Sequence, residues 1–425
     1  IETNFREQKL IDRLAQRLES VDSAEVPMQR YYYAVDHFGR GADGELVNYT
    51  MGSTPTLEAG IDADGYASMV AMAREWLVSN VADSGQFRYL YYPSRDEWPA
   101  KRNNVIRQLM ASRTLAELSR EDPSLRELHG RNLAYALRQW YREEEGRGFI
   151  LYRDKSKLGA LAMALRTLVY SPFYQEYEQQ ARALVAGILS LRQPDGGFRA
   201  WYREPDYPFN EERLLTFYSG EALLALAEYA ALTADQAVLA ATETLQAFYL
   251  ERYVEQIEQH YYPAYVPWHV QSLNALYQIT GKREYLAAAM TLTDRLLEIQ
   301  DTGAAEPYHR GRFFNPATPQ YGSPHASSDA VYTEGLAHAL EMAHALGDEK
   351  RVMRYSAALT LGLRNLDNLQ YRGPRMYFSR CIPCVEGAFR IHVTDNKVRV
   401  DSTQHALDAF LKIDALIVNN QFSLP

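Results

Sequence analysis

The chain has 425 residues, 47% of them hydrophobic and 23% charged, a balance that excludes a disordered or fibrous protein. No stretch approaches the roughly 18 uninterrupted apolar residues of a membrane span. A formal net charge of −9, with no basic tract of five or more, argues against nucleic acid or an anionic membrane as the main partner.

Residues 1–61 read as an N-terminal extension. Phe5, Leu10, Ile11, Leu14 and Leu18 predict a helix over 1–20, and Arg30–Val35 and Glu45–Tyr49 predict two strands around a Gly-rich turn at Gly39–Gly44. From Asp62 one large unit, 62–425, is built of helix pairs. Amphipathic outer helices are predicted over roughly 62–82, 124–144, 174–192, 235–254, 283–300 and 349–368. Helices that are small and apolar nearly all round, hence buried, are predicted over roughly 103–120, 157–170, 218–232, 268–280, 328–346 and 401–416.

A Gly-aromatic turn precedes each inner helix: Gly85-Gln86-Phe87, Gly148-Phe149, Gly196-Gly197-Phe198, the degenerate Tyr261-Tyr262-Pro263, Gly311-Arg312-Phe313 and Gly387-Ala388-Phe389. The inner helices start 50 to 73 residues apart, the period of a helix-pair repeat. Six such pairs can close into a ring, which removes the ends that an open solenoid must cap. The predicted fold is therefore an all-α (α/α)6 toroid with short β-hairpin decorations. Outer-to-inner connections are long (Asp195 to Phe217, Asp301 to Ser327, Leu369 to Val400) and inner-to-outer ones short, so the long loops share one face with the inner-helix N-termini.

Polar residues at that face are the site candidates. They are Asn104 and Arg107; Lys157; Tyr218 and Glu221; Trp268, His269 and Gln271; His325, Asp329, Tyr332 and Glu334; and Asp401, Gln404 and His405. Glu221 and Glu334 interrupt apolar segments, where a carboxylate needs a partner or a purpose; burial beside aromatics would raise their pKa, as a general acid requires. The structural alternative is an ion pair with Arg107 or Lys157. Asp329 and Asp401 equally suit helix N-caps. His269, His325 and His405 recur on three consecutive inner helices without metal-ligand spacing, so no metal and no cofactor are expected. The 31 Tyr and 5 Trp suit stacking on sugar rings, with Trp201 and Trp268 as candidate platforms, or simply fill wide gaps between helices. The pair Cys381 and Cys384 is read as a local disulfide of an oxidising compartment. The expected location is periplasmic or extracellular.

The six helix pairs with Gly-aromatic turns resemble the six-hairpin (α/α)6-toroid superfamily of glycoside hydrolases, polysaccharide lyases and the N-acylglucosamine 2-epimerase type. The resemblance is architectural and spans about residues 62–416. It implies an oligo- or polysaccharide substrate. As a hydrolase, the protein would use Glu221 and Glu334 as acid and base, Asp401 or Asp329 as a further carboxylate, and His269 and His405 as substrate positioners. As an epimerase or uronate lyase it would abstract a carbon-bound proton with His or Tyr. A polysaccharide-binding protein of a secreted or membrane-tethered complex would use the same aromatic groove without turnover.

Overall fold

The computed structural model describes residues 37–40, 44, 46–49, 61–303 and 307–424. Outer and inner helices alternate in chain order: α1 (Ala63–Ser79) and α2 (Val105–Glu121), α3 (Arg126–Trp140) and α4 (Leu158–Tyr170), α5 (Glu178–Leu189) and α6 (Glu211–Thr233), α7 (Gln236–Leu250) and α8 (Val266–Thr280), α9 (Arg283–Leu296) and α10 (Ala326–Leu346), α11 (Glu349–Leu369) and α12 (Val400–Val418). Each inner helix packs on the next, and α12 returns to α2. No helix among the described residues is long and apolar enough to cross a membrane.

Small residues set the spacing of the inner ring. A Cβ on Gly159 would collide with Glu221 and Tyr218 of the neighbouring helix, and one on Gly335 with Pro267. Inner starts fall within three residues of the sequence reading except at α6, which begins at Glu211 rather than at 218. Asn210 caps it by accepting the Arg213 N–H at 2.9 Å, and Leu214, Leu215 and Tyr218 continue its helical spacing. The helix thus carries two extra N-terminal turns, and Tyr218 and Glu221 stay level with the start of α4, against Gly159. The outer helix read as 124–144 stops at Trp140, because the next residues pair as a hairpin whose turn places Glu145 and Gly146 at positive φ.

The strands are small: β1 (His37–Arg40) with β2 (Leu46–Tyr49), β3 (Leu90–Tyr91), β4 (Tyr141–Glu144) with β5 (Arg147–Ile150), β6 (Ser156–Lys157) with β7 (Trp201–Arg203), and β8 (Arg390–His392) with β9 (Asp395–Arg399). The β1–β2 pairing reaches Arg40, inside the segment read as turn; the helix read over 1–20 and the strand read over 30–35 lie outside the described residues.

The Gly-aromatic turns do the same job in four of the six pairs. Phe87, Phe198, Phe313 and Phe389 each form a β-bridge to the residue ending the preceding outer helix or just beyond it, and all four rings are buried. Their N–H groups donate to side chains: Gln108 on α2, Tyr249 on α7, Asp329 on α10 and Thr403 on α12.

The last turn closes the ring. Gly387, at φ +84°, lies so close to α1 that a Cβ would collide with the Met72 carbonyl. Gln370 Nε2 donates to the carbonyls of Met69 and Gly387, Trp76 Nε1 donates to the Cys384 carbonyl at 2.9 Å, and β3 pairs with β9. Replacing Gly387 with Ala adds left-handed strain to a backbone collision, so the loss should be at least about 2 kcal/mol, read as a lower urea midpoint. An unchanged midpoint would show that this contact does not hold the ring shut.

Candidate active site

Polar side chains occupy two levels where the inner helices converge. The deeper level uses the ninth residue of five inner helices: Arg113, Arg166, Asn274, Glu334 and Asp408. These charges are buried, so partners decide their cost. Arg113 Nη1 meets Glu117 at 2.9 Å and Asp408 at 3.2 Å, while Thr114 Oγ1 and Gln404 Nε2 donate to Asp408 at 2.6 and 2.7 Å. Arg166 grips Glu228 on α6 with two bonds of 2.7 Å, a bidentate pair.

Glu334 is the exception. Only 3% exposed, it approaches His405 Nδ1 at 3.5 Å, and its Oε2 makes no hydrogen bond. Burial pushes its pKa up to about 7 against the pull of Arg113 and of Arg166 on the opposite helix. His405, buried with Trp268 edge-on at 5.7 Å, is pushed down to about 3 by burial and by Arg107, which leaves it neutral at ordinary pH.

Glu221 belongs to the upper level. It is 1% exposed, its Oε2 has no hydrogen-bond partner, and burial raises its pKa to about 7 despite Arg107, Arg166 and Lys157. The alternative ion pair with Arg107 or Lys157 is not formed: Arg107 Nε instead meets Asp401 at 3.3 Å. Asp401 is also gripped by Arg399 through two hydrogen bonds. Burial works to raise its pKa, but Arg399 and Arg107 outweigh it and hold the carboxyl well below the usual range. Asp401 is no N-cap, since Arg399 occupies that position, and an acid so firmly ionised is an anchor for two guanidiniums rather than a proton donor. Lys157, just before α4, places Nζ 5.1 Å from the Trp201 ring and 5.9 Å from that of Tyr218; both rings are buried and wall this level. Gln271 lies beside Glu334 and its side chain works to lower the glutamate's pKa.

Other sequence candidates point elsewhere. His269 turns into a cage of Tyr249, Tyr253 and Tyr265, where its Nε2 meets Ser219 Oγ at 3.0 Å; burial alone lowers its pKa to about 3. Asp329 accepts the Phe313 N–H at 2.8 Å and an Asn365 amide at 3.0 Å, the turn-holding task of Gln108 and Thr403. Asn104 and His325 are N-caps of α2 and α10, and Tyr332 packs edge-on against Phe313. Of the three histidines aligned in sequence, His405 lies beside Glu334, His325 sits close enough to Arg399, Asp401 and Arg107 for their charges to act on it, and His269 turns away into its tyrosine cage.

Glu334, His405 and Asp408 bring their ligand atoms within 4.8 Å of one another, and so do Asp96, Cys381 and Cys384. Neither set suits a metal as it stands: Asp408 is already satisfied by Thr114, Gln404 and Arg113, and the cysteines form the expected disulfide. A separate concavity of about 820 Å³ lies on the flank between α1 and the disulfide loop, lined by Trp76, Arg88 and Trp98 and by none of the candidates.

No family model and no curated protein matches the chain. Solved structures do. A GH76 alpha-mannanase of Bacteroides thetaiotaomicron superposes with a TM-score of 0.58 at 11% identity, covering 83% of this chain and 97% of its own. A D-mannose isomerase gives 0.62 at 11%, covering 84% and 99%. An unsaturated glucuronyl hydrolase specific for heparin gives 0.57 at 11%, covering 85% and 100%. The fold is an (α/α)6 toroid.

Sequence reading passed over Arg399, Arg113, Arg166, Glu228 and Asp408. The criterion that singled out Glu221, a charge within an apolar helix, would have found four of them: Arg166, for example, lies in Met163-Ala164-Leu165-Arg166-Thr167-Leu168. Replacing Asp401 with Asn leaves two half-buried guanidiniums facing a neutral amide, at an expected cost of about 3–5 kcal/mol in urea unfolding. Because the folded pKa is the lower one, this contribution is present above the unfolded value of about 4 and is lost as pH falls through the folded value. A loss below about 1 kcal/mol would remove Asp401 from the role of anchor.

Proposed function

We propose that the protein is a carbohydrate-active enzyme, a glycoside hydrolase in which Glu221 is the general acid and Glu334 the general base. The observation that carries this reading is the contrast at the axis. Arg113, Arg166, Glu228, Asp408 and Asp401 are paired, whereas Glu221 and Glu334 each keep a buried oxygen without a hydrogen bond and a pKa near 7. Unsatisfied buried carboxylates cost stability and are retained where chemistry uses them. A carboxylic acid still protonated near neutrality can donate to a glycosidic oxygen, while a second carboxylate activates water. Trp201, Tyr218 and Trp268 supply flat apolar faces beside these groups. The shared fold with enzymes acting on mannan and on heparin-derived sugars supports a saccharide substrate, and the Cys381–Cys384 disulfide supports a periplasmic or extracellular setting.

Glu221→Gln and Glu334→Gln should each lower kcat by about 100-fold or more on a cleaved oligosaccharide; full activity in both would sink the hydrolase reading. Activity should peak near pH 7, falling above it as Glu221 loses its proton and below it as Glu334 gains one. The same variants should be more stable than wild type at pH 8. The raised pKa means that the folded state holds protons which the unfolded chain releases above about 4.5, so stability declines between there and about 7 and stays low beyond. A thermal midpoint that does not rise for either variant at pH 8 would show that neither glutamate is strained by burial.

The neutral His405 beside Glu334 favours a second reading, sugar isomerisation or epimerisation, with His405 as the base that takes a proton from carbon. Under it, solvent deuterium enters a sugar carbon and His405→Asn abolishes that exchange; sugar recovered without deuterium rules it out.

A further inference from the structure

We propose that the mouth of the ring recognises acidic glycans, with Lys157 receiving a uronate carboxylate or a sulfate while Trp201 and Tyr218 flank the sugar ring. This inference rests on reading the axis as a carbohydrate site and names the class of sugar that it takes.

The argument is a local charge excess in an acidic protein. The chain carries −9 overall, yet Lys155, Lys157, Arg102, Arg107 and Arg399 gather where the inner helices begin. Two guanidiniums, Arg107 and Arg399, converge on the single carboxylate of Asp401, so one positive charge is left over there. Glu221, mostly protonated below about pH 7, offsets little of the rest.

Lys157 is the focus. Its ammonium is partly buried, lies 5.1 Å from Trp201 and 5.9 Å from Tyr218, and meets no carboxylate within ion-pair distance among the described residues. Burial and the neighbouring Lys155 both lower its pKa. The nearest opposing charge acting on it is Glu221, which is mostly protonated below about pH 7, and an anion from outside would supply the missing counter-charge at bonding distance. The two aromatic rings within 6 Å of the ammonium give a flat, half-apolar sugar ring carrying a negative group apolar surface to pack against. Trp201 Nε1, buried and unbonded, offers a further donor to such a ring.

Calorimetric titration of the intact protein tests this with three probes: a hyaluronan hexasaccharide, bearing carboxylates only; a heparin hexasaccharide, bearing carboxylates and sulfates; and neutral α-1,6-mannotriose. At least one acidic probe should bind about 10-fold tighter than mannotriose, and its affinity should fall when NaCl is raised from about 50 to 300 mM. Equal binding of both acidic probes assigns the slot to carboxylate, and binding of heparin alone assigns it to sulfate; either supports the proposal. Lys157→Met should erase the preference and Lys157→Arg should restore it, which separates lost charge from lost folding. Mannotriose binding as tightly as both acidic probes, without salt dependence, overturns the inference and leaves the hydrolase reading intact. Acidic glycan bound tightly but never cleaved supports the inference and removes the hydrolase reading.

Discussion

An open stack of helix pairs exposes an apolar face at each end, and in this chain each end covers the other. Met69, Met72 and Trp76 of the first helix meet Gln370, Gly387 and Cys384 from the last turn, more than 300 residues away. Closing so long a loop carries an entropic cost that grows only slowly with length, and a contact without room for a Cβ recovers it through tight packing. Closure also fixes the register of the whole ring. The β3–β9 pairing ties the loop before α2 to the strand leading into α12, and this sets Arg107 against Asp401.

A closed ring of six inner helices creates an interior that small apolar residues cannot fill. Ala and Gly line the helix crossings, and the axis receives polar side chains projecting from one level of five of the helices. Such groups are tolerated because they pair: Arg113 with Glu117 and Asp408, Arg166 with Glu228, and Lys412 with Glu341. Replacing pairs like these with well-packed apolar residues is often neutral or stabilising, so stability alone gives no reason to retain them. Their effect on the two unpaired glutamates gives one. Arg113 and Arg166 temper the pKa of Glu334, and Arg107 with Arg166 that of Glu221, which holds both near 7 where burial alone would drive them higher.

Much of this was legible in the chain itself. The period of the Gly-aromatic turns and the contrast between amphipathic and uniformly apolar helices specified an alternating ring, because each reflects local geometry: a turn requiring positive φ, and a helix buried on one side or on all sides. The site was less legible. Equivalent sequence positions suggested that His269, His325 and His405 would converge, but a histidine three residues earlier or later on a helix faces a different neighbour. His269 found three tyrosines, His325 a backbone N–H and His405 a glutamate. Asp329 shows the same limit: the polar group suited to a cap was used to hold the Phe313 turn instead.

By itself, then, the sequence determined the number of helix pairs, their alternation, the face bearing the long loops, and the presence of carboxylates within apolar helices. Those properties follow from composition and spacing within 20 residues or so, the range over which backbone hydrogen bonding and amphipathicity act. Only the tertiary structure decided which carboxylates were neutralised. Asp401 met two arginines from different segments, whereas Glu221 and Glu334 met none at bonding distance. That outcome depends on distances between helices brought together by ring closure, and no local pattern encodes it.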